Sequence, residues 1–161
     1  MFNIFKKKSD EVILFAPVEG EMIPLEKVND NMFSQRLLGD GFAIIPENDI
    51  VCSPCDGKIK MIANTLHAFG ILADNGAEVL VHVGLNTVNL SGRGFNVLKT
   101  VNSRVKVGTP ILKLDRNFLN EQNVELTIPV IVTNGSGYQL NCYKTEGKVR
   151  DGDEVAIIRS K

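Results

Sequence analysis

The sequence predicts an all-β fold, a single-domain antiparallel β-sandwich or barrel with a faint internal duplication and short helical turns. Three observations carry that prediction. Apolar or alternating runs of strand length recur along the chain with turn residues between them. Two pairs of turn-strand units resemble one another, as a sheet closed from two related halves would require. The candidate helices are too brief to form a layer of their own.

In chain order the strand-like runs are Val12 to Phe15, Phe42 to Ile45, Gly57 to Ile62 and Phe69 to Ala73. Val79 to Val83, Pro110 to Leu114, Ile128 to Thr133 and Val155 to Ile158 follow. Asp30 is placed to cap a turn carrying Met32, Phe33, Leu37 and Leu38, and Asp115 to cap one carrying Phe118 and Leu119. Gly39-Asp40-Gly41 lacks the further glycine and helix of a phosphate-cradling loop and reads as a tight turn before the Phe42 strand. The duplication sets Pro17-Val18-Glu19-Gly20-Glu21-Met22-Ile23 beside Pro54-Cys55-Asp56-Gly57-Lys58-Ile59-Lys60. It also sets Val105 to Ile111 beside Val149 to Val155, each a turn with glycine followed by an apolar strand. Common β-turns also produce such matches by chance, and the pattern alone does not choose between the two.

A chain of 161 residues can bury one core without disulfides or metal. The 18 Lys and Arg nearly balance the 19 Asp and Glu, and no basic stripe with interleaved aromatics occurs, which argues against nucleic acid as a partner. The longest apolar runs are far short of a membrane span. Residues 1–11 read as a short flexible basic and apolar N-terminal segment, and 12–161 as the folded domain. Met1 to Phe5 puts apolar residues before Lys6-Lys7-Lys8, the reverse of a secretory signal, so the expected location is the cytoplasm. Cys52, Cys55 and Cys142 are expected to be free thiols in that reducing compartment.

The chain has two histidines, His67 and His82, on either side of Asp74-Asn75-Gly76, a strong hairpin signal. If Asn75 and Gly76 form a two-residue turn, position 69 faces position 82, and alternation puts His67 on the same face, diagonal to His82. A three-residue turn shifts the register by one and sends the rings to opposite faces. Alternation also groups Leu80, His82 and Gly84, so His82 has apolar neighbours and a glycine that leaves space for something to approach. The Thr65 hydroxyl, two residues before His67, can hold one ring nitrogen and fix the tautomer. The other nitrogen is then free for chemistry. Phosphoryl transfer asks mainly for positioning and charge stabilisation, so two histidines and a hydroxyl form a sufficient minimum set.

The run Gly76-Ala77-Glu78-Val79-Leu80-Val81-His82-Val83-Gly84-Leu85-Asn86-Thr87-Val88 closely resembles the active-site signature of glucose-type enzyme IIA, of the bacterial phosphoenolpyruvate:sugar phosphotransferase system. Phe15-Ala16-Pro17, Gly39-Asp40-Gly41, Pro54 with Asp56-Gly57, Thr65 with His67-Ala68-Phe69, Gly94-Phe95, Val105 to Gly108 and Pro129-Val130 fall in the family's order. The resemblance implies a β-sandwich that takes phosphate from phospho-HPr and passes it to the IIB domain of a membrane sugar permease. It implies that His82 is phosphorylated at Nε2 with the Gly84 carbonyl holding Nδ1, and that His67 is the second histidine with Thr65 as its partner. Phe33 and Val83 map to docking contacts, Asp30 to a partner for HPr arginines. Asn86 stands where the family usually has aspartate, which removes a charge that would attract a basic donor. The leader of some members touches anionic lipid, so Met1 to Lys8 allows at most peripheral membrane contact. A monomer is the favoured state, and the start at Met1 favours a separate subunit over a fused domain.

No cofactor is required by this reading, although two facing histidines could take up adventitious or regulatory zinc. A zinc hydrolase would need a third protein ligand, and there is no third histidine. Ile59-Lys60-Met61 faintly resembles the acceptor lysine of lipoyl and biotinyl carriers, but lies inside an apparent strand. Cys52-Ser53-Pro54-Cys55 has redox spacing without a second pair or a βα context. A regulatory binding module without turnover is a further rival.

Overall fold

The computed structural model describes residues 10–161; the expectations for Met1 to Lys8 lie outside the described residues. The first seven strands are β1 Glu11–Phe15, β2 Gly20–Pro24, β3 Asp40–Pro46, β4 Ile50–Cys52, β5 Gly57–Ile62, β6 Ala68–Ala73 and β7 Glu78–His82. The second seven are β8 Phe95–Val97, β9 Arg104–Val105, β10 Pro110–Leu114, β11 Ile128–Val132, β12 Tyr138–Cys142, β13 Gly147–Val149 and β14 Glu154–Ser160. One eight-stranded sheet has the order β13-β2-β3-β11-β7-β6-β5-β9, and two three-stranded sheets have the orders β1-β14-β12 and β4-β10-β8. All described strand pairings are antiparallel.

The strand orders contain the duplication. Gly20 on β2 faces Pro46 on β3 and Val149 on β13. Gly57 on β5 faces Ala73 on β6 and Val105 on β9, the same arrangement in the second half. A Cβ on Gly20 would lie 2.0 Å from the Ile45 carbonyl oxygen, and one on Gly57 2.2 Å from that of Leu72, so both places demand glycine. Where the halves cross, their main chains exchange matched hydrogen bonds. Phe15 N–H donates to the Pro54 carbonyl and Cys52 N–H to the Pro17 carbonyl, both at 2.8 Å. Ala16 N–H donates to Asp153 and Ser53 N–H to Thr109, at 2.8 and 2.9 Å. The pseudo-twofold axis passes between β7 and β11, where Val81 faces Val130.

Inward residues such as Phe42, Ile44, Ile59, Phe69, Ile71, Val79, Val81 and Val130 join residues of both small sheets in one core. A second, smaller cluster lies on the outer face of the large sheet, where Leu25, Val28 and Phe33 pack on Ala43 and Ile131. Both expected helix caps are present. Asp30 accepts from Met32 N–H ahead of α1, Asn31–Ser34, and Asp115 accepts from Phe118 N–H ahead of α2, Arg116–Glu121. Leu37 and Leu38 fall past the end of α1, and Asp40 and Gly41 belong to β3 rather than to a turn.

Candidate functional site

His82 is the last residue of β7 and His67 immediately precedes β6, so both stand where the ladder ends. The hairpin between them is not the two-residue turn. Ala73 N–H donates to the Ala77 carbonyl across a three-residue loop, and His82 faces Ala68, one position from the expected register. The rings meet nonetheless, with centroids 4.9 Å apart and planes at 76°. Alternation governs side chains inside a ladder, and His67 is outside it. Leu66 before it adopts φ 62°, a left-handed turn, and Leu66 N–H closes onto the Ala63 carbonyl at 2.8 Å. That turn aims the His67 ring, while its carbonyl still accepts from Val83 N–H at 2.7 Å.

Each imidazole is held through Nδ1. Thr65 Oγ1 lies 2.7 Å from Nδ1 of His67, and the Gly84 carbonyl lies 2.8 Å from Nδ1 of His82. A carbonyl only accepts, so the His82 bond requires Nδ1–H and, in the neutral ring, leaves the lone pair on Nε2. No fully buried side-chain nitrogen among the described residues lacks a partner, so both Nε2 atoms reach the surface. The Phe33 ring tilts against His82 at 5.1 Å and 57° as an apolar wall. Burial lowers the pKa of His82 below its ordinary 6.5, and the neighbouring His67 adds to the effect; the Gly84 bond and the Asp30 charge oppose it. Burial lowers His67 as well, against the bond from Thr65.

Other sequence-predicted residues divide. Asp30 is close enough for its charge to act on His82, and Asn86 is exposed on a left-handed backbone, φ 60°, that asparagine adopts readily. Val83 is 0% exposed within the main core, and Phe33, 3% exposed, packs against the His82 ring. Gly84, expected to leave open space, has none. Its φ is +84° and a Cβ there would meet the Thr87 methyl at 2.5 Å. The Thr87 hydroxyl, to which sequence reasoning gave no role, is buried and donates to the Val83 carbonyl at 2.7 Å. Lys60 lies within β5 and pairs with Glu78, unlike an acceptor lysine at a hairpin tip. Cys52 and Cys55 are buried free thiols whose pKa values burial pushes up to about 11 and about 12, which removes them from thiolate chemistry. Among the described residues no group of three His, Cys, Asp or Glu is arranged to hold a metal.

A duplicated β-sandwich ending in two imidazoles, each held by Nδ1 and open at Nε2, has the makings of a histidine group carrier. The family model of the phosphoenolpyruvate-dependent sugar phosphotransferase system, EIIA 1, matches residues 12–138, and the chain belongs to that family. A glucose-specific EIIA component from Oceanobacillus iheyensis is 40% identical, over 83% of this chain and 81% of that protein. A glucoside-specific EIICBA component from Staphylococcus carnosus is 38% identical over 92% of this chain, which spans only 21% of that longer relative. The solved glucose permease IIA from Mycoplasma capricolum superposes with a TM-score of 0.86 at 37% identity, over 98% of this chain and 99% of that one. No helix among the described residues is long and apolar enough to cross a membrane.

Proposed function

We propose that the chain is a cytoplasmic phosphocarrier that accepts a phosphoryl group from phospho-HPr on His82 and transfers it to the IIB domain of a glucose-family sugar permease. The observation that carries the assignment to His82 is the Gly84 carbonyl at 2.8 Å from Nδ1, which directs the lone pair to Nε2. In the uptake step that lone pair attacks phosphorus while the donor's N–P bond breaks and its electrons return to the donor imidazole. Nδ1–H keeps donating to the Gly84 carbonyl, whose partial negative charge stabilises the positive charge that forms on the ring. If the Thr65 hydroxyl donates to Nδ1 of His67, the neutral His67 ring carries its proton on Nε2 and offers it to a phosphoryl oxygen. Onward transfer reverses the chemistry: the acceptor nucleophile bonds to phosphorus and the pair in the Nε2–P bond returns to His82.

No cofactor enters these steps, and zinc at His67 and His82 is assigned no part in them, since two imidazoles are one ligand short of a hydrolytic site. The test is incubation with phosphoenolpyruvate, enzyme I and HPr, then intact-mass measurement and mapping of acid-labile phosphate. One HPr-dependent phosphate on His82 is expected. Its appearance elsewhere, or its absence on folded protein, overturns the assignment.

A further inference from the structure

The Gly84 carbonyl can select the His82 tautomer only if the backbone carrying it is held still. Glycine is the residue least able to do this for itself, because its peptide planes turn freely. The structure pins two consecutive planes at both ends. In the Val83–Gly84 plane, Gly84 N–H donates to the Thr127 carbonyl at 3.1 Å and the Val83 carbonyl accepts from the Thr87 hydroxyl at 2.7 Å. In the Gly84–Leu85 plane, Leu85 N–H donates to the Glu125 carbonyl at 2.8 Å and the Gly84 carbonyl meets His82. Apart from His82 itself, Thr87 is the only partner in this set that acts through its side chain. Its methyl fills the space beside Gly84 that a Cβ would need, and the whole residue is 0% exposed.

We infer that Thr87 is a positioning residue for the phosphoryl acceptor: its buried hydroxyl fixes the Val83–Gly84 peptide, and through it the carbonyl that keeps the proton of His82 on Nδ1. It touches neither the phosphoryl group nor the reacting nitrogen. The rate consequence rests on the phosphocarrier reading above, whereas the tautomer consequence does not. Thr87→Val deletes the donor while keeping the shape, which leaves the buried Val83 carbonyl without its partner and lets the peptide rotate. Thr87→Ser keeps the donor and loses the methyl. Stability and positioning are thereby separated, since serine opens a methyl-sized void but preserves the bond.

The experiment is long-range 1H–15N correlation of the imidazole nitrogens in the intact, unphosphorylated protein at neutral pH, together with the rate of uptake from phospho-HPr. The native protein is expected to show His82 as a single neutral tautomer protonated on Nδ1. Thr87→Val is expected to mix the two His82 tautomers, leave the His67 signals in place, and slow uptake about tenfold, the scale of one net hydrogen bond. Thr87→Ser is expected to keep the single tautomer and an uptake rate within about twofold of native even with a lowered Tm, because the net bond survives. A valine variant with the native tautomer and rate overturns the inference. So does a serine variant that loosens His82, and that result is decisive even if the valine variant fails to fold. Should the native protein take up no phosphate, the phosphocarrier reading falls and the tautomer spectra alone decide the role of Thr87.

Discussion

Ile131 and His82 occupy equivalent places in the two halves of the large sheet, Ile131 facing Gly41 on β3 and His82 facing Ala68 on β6. Their surroundings differ because the connections beside them differ. Residues 25–39, between β2 and β3, lay Leu25, Val28 and Phe33 over the outer face, and Ile131 is 0% exposed beneath them. The equivalent connection between β5 and β6, residues 63–67, is too short to cover its half and leaves Met61 and Leu72 exposed. It contributes Thr65 and His67 instead. Duplication thus built the scaffold, and one long and one short connection made an apolar lid on one side and an open pair of imidazoles on the other. Phe33 belongs to both, as part of the lid and as the wall of His82.

The sharpest way to break this comparison is to remove the imidazole that distinguishes the open half. His82→Ala is expected to abolish phosphoryl uptake in the intact-mass assay. His67→Ala is expected to accept phosphate still but pass it on poorly, because His82 keeps its Gly84 bond while the phosphoryl oxygens lose a donor. Uptake surviving in the His82 variant would move the acceptor elsewhere. Next in size is the shared residue: Phe33→Ala should cost about 3–5 kcal/mol in denaturant unfolding, as for a buried aromatic. It should also admit water to His82 and return its pKa toward 6.5, since burial is the largest cause of the depression.

That depression gives a third prediction. Both histidines prefer the neutral form in the folded chain, so the unfolded chain takes up protons first as the pH falls through 6.5. Stability is therefore fully present above the ordinary histidine range and declines below it, until the pH passes the folded values. The midpoint of the acid limb of uptake at His82 should lie below 6.5, with that of Phe33→Ala displaced upward toward it. A native midpoint at or above 6.5, read from uptake rate against pH, would show that the ring is not desolvated.

The strands of the large sheet were legible where apolar residues alternate or run together, as in β5, β7 and β11. Short strands such as β9, Arg104–Val105, were not, because they are held by main-chain pairing to β5 and carry no side-chain pattern of their own. The matched glycines exposed the duplication, since a close approach to a carbonyl leaves only that residue type. The contact between the histidines was expected for the wrong reason. The hairpin is one residue longer than the two-residue turn, and the left-handed Leu66 restores the meeting that the shifted register would have prevented inside a ladder. Nothing in the sequence announced that turn, because leucine seldom adopts a positive φ. Thr87 sat in the signature run, yet the use of its hydroxyl depends on a carbonyl whose direction only the folded turn supplies.

The smallest expected effect falls on the part of the molecule that the two halves share. Cys52 and Cys55 flank the crossing, where Cys52 N–H bonds to Pro17 as Phe15 N–H bonds to Pro54. Both side chains are buried, and thiols with pKa values near 11 and 12 carry almost no thiolate at neutral pH. Their place is in the scaffold, away from the connection that makes the site. Cys52→Ala with Cys55→Ala should therefore lower stability by about 1–3 kcal/mol while changing transfer less than about twofold, as buried packing changes elsewhere do. A folded double variant with a large loss of transfer rate would tie the crossing of the halves to the chemistry, and the separation between a duplicated scaffold and an unduplicated site would no longer hold.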